Sequence, residues 1–377
     1  SNACTITLPS SAEAGDQIVI IDYARTWGTN KIIIDSNGLT FQGNADTYTV
    51  EYTTDGQALN LIYSDSTKGW IPLEDDVVAD EPVQPSTQRA IFGFGDPDTG
   101  GTLLGVTNLV NSSGVVAADT AAVATAKSGV AGISYGGDKA IFGFGRIGNG
   151  TKMSSTNLVN NSGVVGSDVT GVGTVRYQLA ATSYGTDKGI FAYGSDDSNV
   201  SMSNLVSNSG VVASDVSGVG TARVDLTAAG YGTDKGIFGY GTTGDGKVSM
   251  TNLVSNSGVI ATDVTGVGTA RSNIAAAGYG TDKAIFAYGY TSGKVSMSNL
   301  VSNSGVVASD VTGVGTARYS PAAAGYGGDK AIFGYGNDDP PAAMTNLVSN
   351  SGVVAADVSG VGTGRAWLGA AGYSFST

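Results

Sequence analysis

Hydrophobic and polar positions alternate in short runs along the chain, and from Ala90 onward one order of runs repeats. Each full copy holds a small-residue run such as AAAGYG, an aromatic run such as AIFGYG, and the runs MTNLV and VVASDV. The turns G-T-D-K or G-G-D-K and S-N-S-G separate them, and Gly, Asn and Asp supply the backbone angles of tight hairpins. No ten-residue stretch has apolar positions at helical spacing. The pattern predicts four short antiparallel strands in each copy.

The unit occurs six times when it is counted from the aromatic run. The copies begin at Ala90, Ala140, Gly189, Gly236, Ala284 and Ala331. Self-similarity at this period is typical of a propeller or a solenoid. Four strands in each of six units predict a six-bladed β-propeller, and a β-solenoid is the alternative.

The two ends of this array are incomplete in complementary places. The first copy starts with the aromatic run, whereas the chain ends in a small-residue run that no aromatic run follows. We therefore expect the strand at Ala366–Tyr373 to pair beside Ala90–Gly95, because this pairing closes a ring and removes open sheet edges. A linear solenoid has no reason to divide one repeat between its ends.

The N-terminal fifth of the chain does not repeat. Its runs QIVIIDY, KIIIDS and ALNLIYS predict strands that Gly, Asn and Asp turns separate. Residues 76–89 are acidic and contain proline, which is typical of a linker. The sequence thus predicts an all-β protein with a small β-module at residues 1–75, a linker at 76–89 and the repeats at 90–377.

The repeated unit resembles a kelch-type repeat, with a basic residue, a small-residue strand, a short turn and an aromatic strand that ends in glycine. The basic residues are Arg176, Arg223, Arg271, Arg318 and Arg365, with Lys127 in the first linker. Tyr-Gly or Phe-Gly replaces the double glycine of that repeat, and its usual tryptophan on the last strand is absent. The resemblance implies a kelch-like propeller and says little about function.

The N-terminal segment resembles a small β-module of tail fibres and related structural proteins of tailed bacteriophages. The matching residues are Leu8-Pro9, Gly15-Asp16, Ile21-Asp22, Gly28-Thr29-Asn30, Asn37-Gly38, Gly43, Tyr63 and Lys68-Gly69-Trp70. They span nearly all of residues 4–72. They are turn and core residues, and none of them suggests a catalytic or binding role. The resemblance implies an extracellular virion protein of the phage tail, in which this module is an attachment segment. The implied partners are other virion proteins and a host-surface glycan or protein, and a homotrimer is possible because fibre modules often trimerise.

Composition removes several classes of function. The chain has no histidine and one cysteine, so Ser-His-Asp and Cys-His nucleophile systems and most zinc sites are excluded. We expect no cofactor and no metal. The net charge of −13 argues against nucleic acid as a partner, because no basic stripe is present to neutralise phosphates. No apolar run approaches the roughly 20 residues that span a bilayer, so membrane insertion is not expected.

The carboxylates of the repeats have a structural interpretation. No glutamate follows Ala90, and one set of aspartates lies eight residues before the basic residue of each linker. This set comprises Asp119, Asp168, Asp215, Asp263, Asp310 and Asp357. A residue present in every copy is more simply structural, and we expect these carboxylates to cap the linker backbone or to pair with an arginine. Glycoside hydrolysis needs two carboxylates in different environments. The sequence singles out no such pair, so we predict that the protein is not an enzyme.

Variation between the copies is concentrated at one end of the strands. The loops between second and third strands differ from copy to copy, and so do the triplets after the linker's basic residue, whereas the hairpin turns are almost uniform. The candidate ligand-binding residues are Tyr177, Gln178, Asp225, Asn273, Tyr319 and Trp367 in the triplets and Asp196, Asp245, Tyr290 and Asp338 in the loops. The functional interpretation is a recognition face, and the alternative is drift in exposed loops.

Two further features allow both interpretations. The aromatic run ends in Tyr in four copies and in Phe at Phe94 and Phe144. A tyrosine ring can stack on a sugar, but this exchange shows that the hydroxyl is dispensable in two copies and favours packing between blades. The acidic loops DDSN and NDDP can hold a hard cation such as calcium, but no glutamate closes a ligand loop, which favours a solvated turn.

Three hypotheses follow from the sequence. The first is a non-enzymatic, tail-fibre-like virion protein whose propeller binds a host-surface glycan or protein through its variable face. The second is a free multivalent lectin, which equivalent sugar occupancy in several blades would distinguish. The third is a glycan-degrading propeller enzyme, which requires a carboxylate pair that breaks the symmetry.

Overall fold

The computed structural model describes residues 3–46, 49–74, 89–97, 102–121 and 124–373. The chain divides into two compact units, Ser1–Pro85 and Ser86–Thr377. The described residues of both units form strands and no helix, so the protein is all-β. The predicted linker at residues 76–89 lies outside the described residues, apart from Arg89.

The N-terminal unit contains two three-stranded sheets in its described residues. The first sheet pairs β1 (Cys4–Thr7) in parallel with β3 (Ile32–Asp35), which is antiparallel to β4 (Val50–Tyr52). The second, antiparallel sheet consists of β2 (Gln17–Ile21), β5 (Ala58–Tyr63) and β6 (Trp70–Glu74). The three strands predicted from QIVIIDY, KIIIDS and ALNLIYS are confirmed.

Alternating side chains build the core of this unit. Ile32 and Ile34 on β3 and Leu59 and Leu61 on β5 are buried, as the two-residue period of a strand requires. The ring of Trp70, which the phage-module resemblance includes, is also buried within this core. The residues that carry the resemblance therefore include structural core positions.

The repeat array contains six three-stranded antiparallel sheets in its described residues. We number the sheets 1 to 6 in the chain order of their second strands. The first strands are β26 (Gly369–Tyr373), β9 (Ala131–Tyr135), β12 (Ala180–Tyr184), β15 (Thr227–Tyr231), β20 (Ala275–Tyr279) and β23 (Ala322–Tyr326). The second strands are β7 (Arg89–Gly95), β10 (Lys139–Gly143), β13 (Lys188–Ala192), β16 (Lys235–Gly239), β21 (Lys283–Ala287) and β24 (Lys330–Gly334). The third strands are β8 (Leu104–Val110), β11 (Thr156–Val159), β14 (Ser203–Val206), β19 (Thr251–Val254), β22 (Ser298–Val301) and β25 (Thr345–Val348).

An additional short hairpin extends the loop that follows the second strand of sheet 4. It consists of β17 (Thr242–Thr243) and β18 (Gly246–Lys247). This hairpin belongs to the loops that vary between the copies.

The strand at the end of the array completes the sheet at its start. β26 pairs antiparallel with β7, so that Tyr373 faces Arg89 and Gly369 faces Gly93. β26 also lies beside β9 and β23, and each of the six first strands contacts the first strands of two other sheets. One cavity is lined by residues from all six first strands or the residues just before them. The expected pairing between the two ends of the array is confirmed.

The predicted fourth strand is wrong as a continuous strand. In all six copies its residues make two isolated bridges to the third strand, which in sheet 3 lie at Val212 and Val216. Asn204 on the third strand explains the interruption, because its Nδ2 atom donates to the Ala213 carbonyl at 3.0 Å and to Asp215 Oδ1 at 2.9 Å. A side chain thus takes a backbone acceptor that a regular ladder uses.

A buried arginine links neighbouring sheets. Arg271 is fully buried and donates from Nη2 to Asn299 Oδ1 at 2.6 Å and from Nε to the Tyr288 carbonyl at 3.0 Å. Its guanidinium carbon also lies 4.5 Å from the ring centroid of Tyr240 on the preceding sheet. The other linker arginines make the same contact to the equivalent asparagine; they are Arg176, Arg223, Arg318 and Arg365.

The aspartates that precede the linkers have the structural role expected from the sequence. Asp310 Oδ2 accepts from the backbone N–H of Thr269 at 3.0 Å and from its Oγ1 at 2.6 Å. Its Oδ1 lies 3.6 Å from Arg271 Nη1. The prediction that these carboxylates cap the linker backbone or pair with an arginine is confirmed. The partner of Asp310 is Arg271 of the preceding linker and not Arg318, which follows it by eight residues.

The tyrosine that ends the aromatic run is a packing residue. Tyr240 is fully buried and meets Phe286 of the next sheet edge to face, with ring centroids 5.3 Å apart. Its hydroxyl donates to the Val267 carbonyl at 3.1 Å, and burial raises its pKa to about 12. The packing interpretation of these tyrosines, which the exchange with phenylalanine favoured, is confirmed as packing between neighbouring sheets.

Lys127 is the exception among the buried linker cations. Its Nζ atom lies 3.5 Å from both the carbonyl and the Oγ of Ser155 and 3.8 Å from Asp168. It does not reach Asn157, whose buried Oδ1 has no hydrogen-bond partner. Burial lowers the pKa of the Lys127 ammonium to about 8, against the attraction of Asp168. The shorter side chain therefore leaves the contact between sheets incomplete at this position.

We predict that Lys127→Arg stabilises the array. An arginine can donate to the unpartnered Asn157 Oδ1, and satisfying a buried acceptor is worth about 1 to 2 kcal/mol. The measurement is the free energy of unfolding in urea, followed by circular dichroism at pH 7.5. Arg223→Lys is the matched reverse change and should destabilise by a similar amount.

The gain from Lys127→Arg should shrink as the pH rises. The unfolded chain binds more protons than the fold between the lowered pKa of Lys127 and its ordinary value, so the wild type gains stability from about pH 8 upward. Arginine stays charged throughout this range. A variant that is less stable than the wild type at pH 7.5, alongside a destabilised Arg223→Lys, would contradict this account of the orphaned Asn157 acceptor.

Candidate functional site

Six residues, one before each first strand, meet at one end of the sheets. We call them the mouth residues; they are Gly129, Gln178, Asp225, Asn273, Ser320 and Trp367. The backbone N–H of each donates to the carbonyl of the mouth residue before it at 2.8 to 3.2 Å. Because Gly129 donates to Trp367 at 2.8 Å, this series of hydrogen bonds returns to its start. One cavity is lined by these six residues and the residues that follow them.

The backbone holds all six mouth residues in the left-handed region, with φ between 51° and 64°. Glycine occupies this region freely, but a residue with a Cβ pays about 1 kcal/mol or more. Only Gly129 is a glycine, and five different side chains stand at the other five positions. Gln178, Asp225, Asn273 and Trp367 were each predicted to bind ligand, and the structure brings them together.

Strain alone does not distinguish this position. The aromatic residues that end the aromatic runs also have positive φ, for example 62° at Tyr240. Those side chains are Tyr or Phe in every copy and are buried, so packing accounts for their conformation. At the mouth the side chains differ in every copy and border a cavity, so packing between sheets does not account for them.

An aromatic row leads away from the cavity. The rings of Trp367 and Tyr319 meet edge to face at 5.8 Å, and those of Tyr319 and Tyr290 meet at 5.5 Å. Trp367 Nε1 and Ser320 Oγ both donate to Asn273 Oδ1, at 3.2 and 2.7 Å. The tryptophan is thus fixed across the cavity, and the row places three predicted site residues in one series of contacts.

Asp225 is the one carboxylic acid among the residues that line the cavity. Burial raises its pKa to about 6, against the opposing influence of the Asn273 amide and of the cations Arg146 and Lys247. The carboxyl therefore changes charge just below neutral pH. Because hydrolysis of glycosides uses two carboxylates, this single acid does not constitute a catalytic pair.

Tyr177 takes part in a different contact. Its ring lies under the guanidinium of Arg146, with the Cζ atom 5.2 Å from the centroid. A second cation makes a similar contact: Lys247 Nζ lies 5.2 Å from the ring centroid of Tyr290. Tyr177 adjoins mouth residue Gln178, which precedes Asp225, whereas Tyr290 pairs with the neighbour of Asn273, which follows Asp225. Tyr177 is therefore beside the mouth but is not part of the aromatic row.

The predicted loop residues lie apart from the cavity lining. Lys294 Nζ contacts the Asp338 carbonyl at 2.8 Å and its Oδ1 at 3.0 Å, and Lys152 Nζ contacts the Asp196 carbonyl at 3.1 Å. An ammonium group thus stands where the alternative of a calcium site would put the metal. Asp245 is exposed in the turn between β17 and β18.

Sequence reasoning missed four residues of this region. Ser320 and Gly129 belong to the same variable triplets as the predicted residues, but such small residues do not by themselves indicate ligand binding. Arg146 and Lys247 lie in the variable loops, and their contacts with tyrosines of neighbouring copies depend on which sheets adjoin. The position of Ser320, directly after Tyr319 and equivalent to Trp367, was the available signal.

The described residues were searched for metal sites and membrane-spanning helices, and the chain was compared with protein families and with curated proteins. No group of three or more acidic or cysteine side chains in the described parts of the chain is arranged to hold a metal ion. Those parts also contain no helix that is long and apolar enough to cross a membrane. No protein-family model matches the chain, and no curated protein is similar to it.

Proposed function

We propose that the repeat array is a closed, kelch-like six-bladed β-propeller with one sheet per blade. Three observations support this architecture: β26 pairs with β7, each first strand contacts the first strands of two other sheets, and the hydrogen bonds of the mouth residues return to their start. A solenoid has no contact between its first and last repeats. The mouth is then one opening of the central channel.

We propose that this propeller is the recognition head of a tail-fibre-like bacteriophage virion protein. It binds a glycan or protein of the host surface through the mouth and the aromatic row, and it has no enzymatic activity. The N-terminal unit attaches the propeller to other virion proteins and is the part through which a homotrimer would form, as the resemblance of residues 4–72 implies. The virion part of the proposal rests on that resemblance alone.

One observation carries the recognition role. Five non-glycine side chains, different in each copy, are held at positions where the backbone favours glycine. Drift at such positions is expected to end at Gly, Asn or Asp, because these residues adopt positive φ most readily. Gln178 and Trp367 depart most from that expectation. Selection for their side chains explains why these costly residues persist.

The recognition role predicts that Trp367→Ala weakens ligand binding. A tryptophan at the centre of a binding surface is typically worth about 2 kcal/mol, which corresponds to roughly 30-fold in affinity. The measurement is binding of the full chain to an array of bacterial surface polysaccharides and to whole bacterial cells. Periodate treatment of the cells removes glycan ligands, and protease treatment removes protein ligands.

Tyr23→Ala is the matched control, because Tyr23 is 96% exposed in the other unit. Thermal unfolding of both variants should match the wild type, since neither ring is in the core. Saturable binding that is equal in wild type and Trp367→Ala would rule out recognition through the mouth. Absence of the chain from purified phage particles of the source would rule out the virion role.

A further inference from the structure

Two cations beside the mouth lack carboxylate partners. In the described part of the array, every Lys and Arg except three has an aspartate oxygen within 4.0 Å. The exceptions are Arg89, Arg146 and Lys247. Arg89 lies opposite Tyr373 at the other end of the first strands. Arg146 and Lys247 are therefore the two cations of the described array that lie near this opening without an aspartate oxygen within 4.0 Å, in a chain whose net charge is −13.

Tyrosine rings hold both of these cations in place. Arg146 lies over Tyr177, the neighbour of mouth residue Gln178. Lys247 lies over Tyr290, which exchanges two backbone hydrogen bonds with Ser272, the neighbour of mouth residue Asn273. An aromatic face orients a cation but does not neutralise it as a carboxylate does. Both side chains are exposed, so their charge is available to a ligand.

Asp225 is the mouth residue between these two positions. Both cations act on its carboxyl, which burial makes easier to protonate. Three carboxylates of the variable loops have their own ammonium partners, Asp197 with Lys152 and both Asp338 and Asp339 with Lys294. Asp196 Oδ1 accepts from the backbone N–H of Ser198. Asp245 is exposed near Lys247 in the hairpin turn. Asp225 is thus the titratable group that sets the charge of the mouth itself.

We propose that the mouth binds an acidic saccharide, with carboxylates of the sugar at Arg146 and Lys247 and its rings along Tyr290, Tyr319 and Trp367. This inference rests on the recognition role proposed above and names the class of ligand. Arginine binds a carboxylate with two parallel hydrogen bonds, and lysine attracts it as a point charge. Aromatic faces meanwhile cover the apolar sides of sugar rings.

The test compares matched pairs of glycans on the full chain. The probes are oligosaccharides that contain hexuronic acids and the same compounds with every carboxyl group reduced to an alcohol. We expect the wild type to prefer the carboxylated member of a pair and the preference to fall as salt is raised. Arg146→Gln and Lys247→Gln should each weaken binding of the carboxylated member about threefold and leave the reduced member unchanged. Lys188→Gln, which removes the same charge from a hairpin turn, should change neither.

Asp225 adds a pH dependence that a neutral site lacks. As the pH falls from 7.5 to 5, the Asp225 carboxyl becomes neutral while the hexuronate stays ionised, so affinity for the carboxylated probe should rise severalfold. In Asp225→Asn this rise should disappear, and the reduced probe should show none in either protein.

The outcomes separate this inference from the recognition role. Equal affinity for both members of each pair, with binding of both lost in Trp367→Ala, would contradict an acidic saccharide as the ligand. Recognition through the mouth would still stand. Preference for phosphorylated over carboxylated glycans, or for protease-sensitive ligands, would also overturn the acidic saccharide. Failure to bind any glycan or any cell would remove both proposals together.

Discussion

Arg271→Met should destabilise the array by about 3 to 5 kcal/mol, as removal of one partner from a buried ionic network does. The guanidinium is fully buried and supplies donors to Asn299 Oδ1 and to the carbonyls of Tyr288 and Thr269. Methionine fills a similar volume but donates nothing, so these acceptors lose their partner while Asp310 loses its counter-charge. The measurement is the free energy of unfolding of the full chain in urea.

Lys283→Met in the same sheet is the control for this change. Lys283 pairs with Asp282 at 3.0 Å, but its side chain is 45% exposed, and such surface pairs contribute little to stability. We expect a loss below about 0.5 kcal/mol for this variant. A loss under about 1 kcal/mol for Arg271→Met would show that the linker arginines are replaceable spacers.

Removal of residues 369–377 should prevent cooperative folding of the array. This change deletes β26, leaves β7 with one partner strand and removes the strand that contacts both β9 and β23. Burial of Tyr373 alone is worth about 2 kcal/mol, and each lost ladder hydrogen bond about 1 kcal/mol. The sum is comparable with the whole stability of a typical domain, about 5 to 15 kcal/mol. Circular dichroism and limited proteolysis measure the result.

A chain that lacks only residues 374–377 is the control for this deletion, because it retains all of β26. It should unfold like the wild type. If the longer deletion also unfolds like the wild type, the ends of the array do not depend on each other and the proposal of a closed propeller fails.

Much of the fold follows from local sequence chemistry. The turns between first and second strands predict the hairpins, and the register is the same in each copy, as with Tyr279 opposite Lys283. The first copy lacks a small-residue run and the end of the array lacks an aromatic run, and this complementarity predicts the pairing of β26 with β7. The fourth strand could not be predicted correctly, because the Asn204 side chain that interrupts its ladder lies on the neighbouring strand.

The candidate site was partly visible in the sequence. Variation in the triplets pointed to Gln178, Asp225, Asn273 and Trp367, because variation stands out against copied repeats. The same signal pointed to Asp196 and Asp338, whose carbonyls instead accept from lysines of neighbouring copies. Variation marks a face, but it does not say which of its side chains turn toward the opening.

The sequence by itself determined the all-β class, the six copies and the hairpin turns, and it favoured a packing role for the Tyr or Phe that ends each aromatic run. These properties depend on contacts within one copy or on comparison between copies. Only the tertiary structure decided which residues meet at the mouth, because the backbone of each mouth residue bonds to a different copy, and Gly129 bonds to Trp367 from the far end of the chain. It also decided that Arg146 and Lys247 stay unpaired over tyrosines while other cations meet aspartates, since such pairing depends on which sheets lie side by side.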